Sequence, residues 1–136
     1  MYQQDYILRI IEQLGVLLKR MLAALTEQQP QQAIDTSTEA LGLVLDMDPR
    51  LAESLSAPSL VSLLGAGGRL DVRRSLALGE VFAIRAQAFV GLEQADAAEI
   101  ARGKALVMLW AVLDHANDAE ARARATELLE ALGDEG

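Results

Sequence analysis

The sequence predicts an all-α protein, a single domain of five or six antiparallel helices over residues 1–136. Apolar residues recur at helical spacing along much of the chain, and no run of alternating β-branched residues indicates a strand. Apolar residue types make up 51% of the chain, whereas aromatic residues make up only 4%. Because most of the apolar excess is Ala and Leu, tightly packed helices are favoured over a sheet.

The first helix is predicted over about residues 3–27, where no proline interrupts an apolar seam. The six seam residues are four, three, four, three and four apart: Ile7, Ile11, Leu14, Leu18, Met21 and Leu25. This spacing places one apolar stripe along a helix, the pattern that packs against another helix. Leu8 and Leu22 lie beside the stripe, so the apolar face is wider than a two-stranded seam needs. We predict a long packing or association helix, covered by its own domain, a second copy or another protein.

Prolines and capping residues divide the next part of the chain. The second helix is predicted over about residues 30–47, because the residue before Pro30 is driven out of the helical region and ends the first helix. A short helical piece follows over about residues 50–55, with Asp48 as its N-cap. Ser56 is predicted to cap the third helix, over about residues 57–64.

The glycine-rich turn at residues 65–68 is the one clear break in the chain. Three further helices are expected over about residues 71–92, 96–115 and 119–132. Asp96 is predicted to cap the second of these and Asp118 the third. The first two form an antiparallel hairpin over about residues 71–115, because only three or four residues separate them.

The hairpin follows the spacing of one tetratricopeptide repeat. The matching positions, aromatic or small in turn, are Phe82, Ala86, Phe89, Ala98 and Ala105. Small residues let the two backbones approach, and the aromatic rings fill the groove between the helices. Arg85 and Arg102 depart from the pattern, since the repeat usually has apolar residues there. We therefore predict a repeat-like hairpin within a bundle rather than a repeat array.

The opening segment reads Gln4-Asp5-Tyr6-Ile7-Leu8-Arg9-Ile10-Ile11-Glu12-Gln13. It resembles the start of an uncharacterised family of small, all-helical bacterial proteins whose domain has no known function. Leu55-Ser56, the Gly67-Gly68 turn and the repeat-like hairpin follow in the same order in that family. The resemblance implies a bacterial, cytoplasmic, helical protein related in shape to tetratricopeptide repeats. It implies no reaction and no site residues.

Composition and charge narrow the classes of function. The net charge of −8 argues against general binding to nucleic acid or anionic membranes, which require a cationic surface. The chain has no cysteine, and hence no disulfide, thiol nucleophile or Cys-ligated zinc. Residues 1–5 lack the basic region of a signal peptide, and the longest uncharged stretch, residues 54–68, is too short to span a bilayer. We expect a cytoplasmic protein.

The turn from Gly65 to Arg74 is the candidate anion site. A glycine-rich turn that enters a helix exposes backbone N–H groups, and Arg69, Arg73 and Arg74 add positive charge. The segment lacks the Lys-Ser/Thr ending of a P-loop and follows a helix rather than a strand. The alternative is that these arginines form salt bridges with the acidic segments elsewhere in the chain.

His115 is the single histidine and lies next to Asp114. It is either a general base oriented by a carboxylate or a histidine at a helix C-terminus, where the helix dipole favours it. Asp46 and Asp48 resemble the start of a calcium loop, but the glycine and glutamate that such a loop needs are missing. We therefore expect no catalytic, cofactor or metal-binding residues.

Two functions from different classes follow from these features. The first is a non-enzymatic, helical protein-interaction module that forms a homodimer or binds a protein partner. The second is a protein that binds a small anion or metabolite, conceivably an enzyme, with its site near the Gly65–Arg74 turn. An extended apolar strip on the first helix favours the first function, and a deep pocket at the turn favours the second.

Overall fold

The computed structural model describes residues 2–133, with the side chains of residues 5, 6 and 8–133. Within this range the chain forms helices joined by short turns, without a strand, and the predicted all-α class is confirmed. Residues 2–133 form seven helices: α1 (Tyr2–Thr26), α2 (Pro30–Leu45), α3 (Pro49–Ser54), α4 (Ala57–Leu64), α5 (Val72–Gly91), α6 (Ala95–His115) and α7 (Ala119–Ala131). The number exceeds the predicted five or six because the short piece α3 forms a helix of its own.

Three helices begin at the side-chain caps that the sequence predicts. Asp48 and Asp118 each accept a hydrogen bond from the backbone N–H two residues ahead, at 2.9 and 3.1 Å. Ser56 accepts one from the backbone N–H three residues ahead, at 3.2 Å. Each cap satisfies a donor that the first turn of a helix otherwise leaves unpaired.

The prediction that Asp96 caps the second helix of the hairpin is wrong. Helix α6 already begins at Ala95, and Asp96 lies within its first turn. The turn closes earlier because Glu93 adopts a left-handed φ of 59°. The N–H of Gln94 then bonds back to the carbonyl of Phe89 at 2.9 Å. Asp96 still benefits from the positive end of the helix dipole.

The long helices form two stacked hairpins and a final helix. In the α1–α2 pair, α2 packs against α5. Helix α6 packs against both α5 and α7. Ile11 of α1 shares a cavity with Arg73 near the start of α5, whereas Leu22 shares another with Gln87 near its end. Helices α1 and α5 therefore run in the same direction. The start of α7 also adjoins Arg73 and its end adjoins Gln87, so α7 runs the same way.

The main core lies between the two hairpins. Its fully buried large side chains include Met21, Leu41, Leu60, Leu78, Phe82 and Met108. A second cluster, built around Leu109, Val112 and Leu129, joins α6 to α7. Both clusters draw on the inner faces of their helices, which is where burial of apolar surface stabilises the fold.

Two fully buried serines on the helices have different hydrogen bonding. The Ser37 hydroxyl donates to the carbonyl of Ile34 at 2.6 Å and accepts from the Arg85 guanidinium at 2.8 Å. The Ser75 hydroxyl has no hydrogen-bond partner among the described residues. A buried polar group without a partner costs about 1–3 kcal/mol of stability.

We expect Ser75→Ala to raise the free energy of unfolding by about 1 kcal/mol, because it removes an unpaired hydroxyl and alanine is the better helix former. The matched control is Ser37→Ala, at an equally buried position. It should lower that free energy by about 1–3 kcal/mol, since it removes an acceptor of a buried guanidinium. Urea denaturation measures both changes. Shifts of the same sign would contradict the different roles of the two hydroxyls.

Candidate functional site

The predicted anion site lies on one side of an open cleft of about 920 Å³. The turn between α4 and α5 forms one wall, and the turn between α6 and α7 forms the other. Among the lining residues are Arg69, Arg73, His115, Asp118, Glu120 and Arg124. We call this the basic cleft. It brings two of the three predicted arginines together with the single histidine, which lies about forty residues further along the sequence.

Local geometry fixes both walls of the basic cleft. Gly68 adopts a φ of 87°, a left-handed conformation that glycine takes without steric cost. The Asp71 carboxylate then accepts from the N–H of Arg74 at 3.1 Å and caps α5. On the opposite wall, His115 is the last residue of α6 and is exposed.

The charges in the basic cleft are mixed. The Arg124 guanidinium lies 2.6 Å from Glu80 and 3.0 Å from Glu127, and the hydrogen bond to Glu80 raises its pKa above the ordinary value. Arg69 and Arg73 are exposed, and no carboxylate of the described residues lies within 4.0 Å of either. These two arginines are therefore the cations of the cleft that remain available to an anion.

Arg74, the third arginine of the predicted site, lies outside the basic cleft. Its Nε donates to the carbonyl of Val44 at 2.7 Å, and its guanidinium lies 3.8 Å from Asp71. Neighbouring residues on a helix point about 100° apart, and only Arg73 of the two lines the basic cleft, although both line a smaller cavity beside α1. Arg74 instead joins the start of α5 to α2.

The structure divides the predicted seam of α1. Met21 is fully buried, and Leu14, Leu18 and Leu25 are half-buried against the core of their own chain. Ile11 is 43% exposed, and the side chain of Ile7 lies outside the described residues. Much of the seam is therefore covered by the chain's own α2 and α5.

A second apolar row on α1 is partly exposed, although its Leu18 packs against the core and its Ile11 and Leu22 line cavities beside α5. Its successive residues are three, four, three and four positions apart: Leu8, Ile11, Gly15, Leu18 and Leu22. We call it the outer seam. Leu8 and Leu22 are 52% and 48% exposed, and no described atom lies within 4 Å of a Cβ built on Gly15. Ile11 and Leu18 belong to both the outer seam and the predicted seam. At each remaining position, the outer seam contains the residue that follows the predicted one in the sequence.

Glu12 and Lys19 border the outer seam, and the exposed Asp5 lies seven residues before Glu12 on the same flank. Glu12 and Lys19 lie seven residues apart, which is about two helical turns, so they project from the same side of the helix. Their charges are opposite. A helix laid along the outer seam would pass beside both, and the order of the two charges then discriminates between possible orientations of that helix.

Sequence reasoning missed a buried polar cluster around Arg85. The guanidinium donates to the hydroxyls of Ser37 and Thr38, at 2.8 and 2.9 Å, and to the carboxylate of Glu53 at 3.2 Å. Burial lowers the pKa of Arg85, and Glu53 opposes that shift. The Lys104 ammonium donates to the backbone carbonyl of Glu53 at 3.1 Å. The one available signal was the charged residue at a position where the repeat pattern expects an apolar one.

No family model matches this chain, and no curated protein or solved structure matches it either. The resemblance of the opening segment to a bacterial family therefore stays a prediction. None of the described helices combines the length and apolar character needed to cross a bilayer. In the described part of the chain, no group of His, Asp and Glu side chains is placed to hold a metal ion.

Proposed function

We propose that the protein is a non-enzymatic helical interaction module that forms a homodimer through the outer seam of α1. The observation that carries this proposal is a partly exposed apolar row with heptad spacing, flanked on one side by the exposed charges of Asp5, Glu12 and Lys19. Apolar residues at this spacing pack into a facing helix. Singly exposed apolar side chains are ordinary on protein surfaces, but Leu8, Ile11 and Leu22 are exposed along one side of the same helix, and grouped apolar exposure is typical of an interaction site.

The flanking charges favour a second copy that lies antiparallel. In an antiparallel pair, the residues on one flank meet the same flank of the partner, so Glu12 faces Lys19 of the other copy and Lys19 faces its Glu12. In the same register, Gly15 lies opposite Leu18, and Ile11 lies opposite Leu22. A small residue opposite a large one lets the two helices interdigitate.

A parallel pair lacks this complementarity. There the flank that carries Glu12 and Lys19 meets the opposite flank of the partner helix. That opposite flank carries Leu14 and Met21, which are packed into their own chain. Both charges would then lie beside apolar side chains without an ionic partner. The charge pattern therefore favours an antiparallel over a parallel pair.

Light scattering at micromolar concentration tests the dimer directly. The expected mass is twice the chain mass of 14.6 kDa. A single species at 14.6 kDa would contradict self-association, and the outer seam would then be assigned to a different protein partner or to none.

We also propose that α5 and α6 form a tetratricopeptide-like hairpin. Ala86, Ala98 and Ala105 are buried, Phe82 is buried and Phe89 is half-buried, as the repeat pattern requires. Helices α1, α5 and α7 run in the same direction. Helices α2 and α6, which adjoin them in the sequence, run back in the opposite direction. This is the order of stacked helix pairs in repeat proteins. Arg85, at an apolar position of the pattern, is accommodated by its buried hydrogen bonds.

A second candidate function is the binding of a small anion in the basic cleft. It is favoured by the convergence of Arg69, Arg73 and His115 on one cleft, and by the two arginines that lack a carboxylate partner among the described residues. Asp118 and Glu120 line the same cleft and oppose it. The interaction module stays the leading proposal, because these acidic residues reduce the positive potential that an anion would meet.

If the basic cleft binds phosphate, adding phosphate should raise the melting temperature of the parent protein. Phosphate also stabilises proteins generally by exclusion from their surface. The Arg69→Ala, Arg73→Ala variant should lose the part of the rise that comes from binding, whereas Arg74→Ala, which changes an arginine outside the cleft, should keep it. Differential scanning fluorimetry measures all three. An equal rise in the parent and the double variant would remove the anion site.

A further inference from the structure

A smaller pocket, of about 180 Å³, lies between α5 and α6 beside Glu53 of α3. Its lining residues are Phe82, Arg85, Phe89, Ala97, Ile100, Ala101, Lys104 and Glu53. We call it the phenylalanine pocket. None of these residues belongs to the outer seam or to the basic cleft, so the pocket is independent of both functions proposed above.

The phenylalanine pocket carries an excess positive charge. Arg85 and Lys104 both line it, and Glu53 is the one carboxylate among its lining residues. That carboxylate is engaged by Arg85 at 3.2 Å and by the Thr38 hydroxyl at 3.1 Å. The pocket is therefore net positive, in a chain whose net charge is −8.

Lys104 has unused hydrogen-bonding capacity. An ammonium group has three N–H donors. One donor goes to the backbone carbonyl of Glu53, and no described residue supplies an acceptor for the other two. Burial lowers the pKa of Lys104 below its ordinary value and the nearby Arg85 lowers it further, while Glu53 opposes these effects. A bound anion would relieve the repulsion between the two cations.

The remaining walls of the pocket are apolar. Arg85 lies over the Phe89 ring at 5.3 Å and Lys104 over the Phe82 ring at 5.4 Å, which holds both cations against aromatic faces. Ile100 is 62% exposed at the rim. An apolar cavity of roughly 150 Å³ accommodates one benzene molecule. The pocket therefore has room for a single ring or short branched chain and is too small for a nucleotide.

We propose that the phenylalanine pocket binds a small monocarboxylic acid with an apolar body, such as an aryl or branched short-chain acid. The carboxylate accepts from the two available donors of Lys104, in the field of Arg85. The apolar body lies against Ile100 and the Phe89 ring. Inorganic anions lack the apolar contact, and neutral aromatic molecules lack the charge, so the pocket selects molecules that have both.

Phenylacetate is the probe that tests this proposal, titrated to about 10 mM into the ¹⁵N-labelled full chain. We expect saturable shifts of backbone amide signals near Lys104 and Ile100. Acetate lacks the ring and phenylacetamide lacks the charge, and each should bind at least about tenfold more weakly, the factor that one lost contact of 1.4 kcal/mol produces.

Two variants test separately the charge of Lys104 and the free volume of the phenylalanine pocket. Lys104→Met keeps the apolar stem and removes the ammonium, and Ala97→Phe fills the pocket while leaving both cations in place. Each should weaken phenylacetate binding by at least about tenfold. Arg73→Met, which removes an exposed charge in the basic cleft, is the matched control and should leave the affinity unchanged.

Three results would overturn the proposal. The first is an absence of saturable shifts with phenylacetate. The second is equal binding of phenylacetate and phenylacetamide, which would leave no role for Lys104. The third is loss of binding in Arg73→Met with retention in Lys104→Met, which would place the ligand in the basic cleft. Circular dichroism of each variant shows that the helical fold is kept before the comparison is made.

Discussion

Replacing both Leu8 and Leu22 by aspartate is expected to reduce the particle mass in solution from twice 14.6 kDa to 14.6 kDa, with the helical content unchanged. Both side chains are about half exposed in the single chain, so the aspartates stay in water when the chains separate. In the proposed dimer the same residues are buried, four per dimer. Full burial of one exposed leucine contributes about 1.5–3 kcal/mol, and each of these four gains about half of that, so the dissociation constant should rise at least about a hundredfold.

Val16→Asp is the matched control for this change. Val16 is 51% exposed and lies on α1, but it projects from a different side of the helix than the outer seam. The control chain should stay dimeric. A dimer that survives in the Leu8→Asp, Leu22→Asp variant would show that the outer seam is not the interface. Dissociation by Val16→Asp alone would move the interface to the other side of α1.

Charge reversal tests the orientation of the two helices. Glu12→Lys places two lysines opposite each other at both ends of the proposed antiparallel interface, and the dissociation constant should rise on the order of tenfold. The double variant Glu12→Lys, Lys19→Glu restores opposite charges across the interface and should restore the affinity. A double variant as weak as the single one would contradict the antiparallel register. High salt should reduce all of these differences.

The sequence predicted that α1 is an apolar packing helix, but the seam alone could not show which side faces outward. The predicted seam and the outer seam share Ile11 and Leu18. At the other positions they use adjacent residues, such as Met21 in the predicted seam and Leu22 in the outer seam. One residue on a helix corresponds to about 100° of rotation. The burial of Met21 depends on where α2 and α5 lie, and heptad spacing carries no information about that position.

The helix ends were more predictable than the sites, because caps are local. Asp48 and Ser56 bond to N–H groups two or three residues away, and these contacts follow from the sequence alone. The cluster around Arg85 joins residues separated by up to 48 positions, from Ser37 through Glu53 to Arg85. Only the packing of α2, α3 and α5 brings those groups together.

Part of the arrangement around the candidate anion site was predictable from the sequence. The turn explains why Arg69 and Arg73 lie near each other, since one glycine-rich segment leads directly into α5. It could not show that the turn between α6 and α7 forms the opposite wall, with His115 on it. Adjacent helix positions diverge by about 100°, but the helical period alone could not show that Arg73 lines the basic cleft and Arg74 does not.

The close approach of α6 to Gly79 of α5 predicts a large loss of stability from a single substitution in the hairpin. A Cβ built on Gly79 would lie 2.5 Å from Cδ2 and 2.8 Å from Cγ of Leu109. Leu109 is fully buried, so its side chain cannot move into solvent to make room. Gly79→Leu should therefore lower the free energy of unfolding by about 3 kcal/mol, near the upper end of what overpacking costs.

Gly103→Ala, on α6, is the control that separates close packing from helix propensity. No described atom lies within 4 Å of a Cβ built on Gly103, so the added methyl meets open space. Alanine is the better helix former by about 0.8–1 kcal/mol, and this variant should be more stable than the parent by that amount. Urea denaturation compares both variants with the parent. A Gly79→Leu chain as stable as the parent would mean that α5 and α6 do not approach closely at this point, and the assignment of a tetratricopeptide-like hairpin would lose its structural basis.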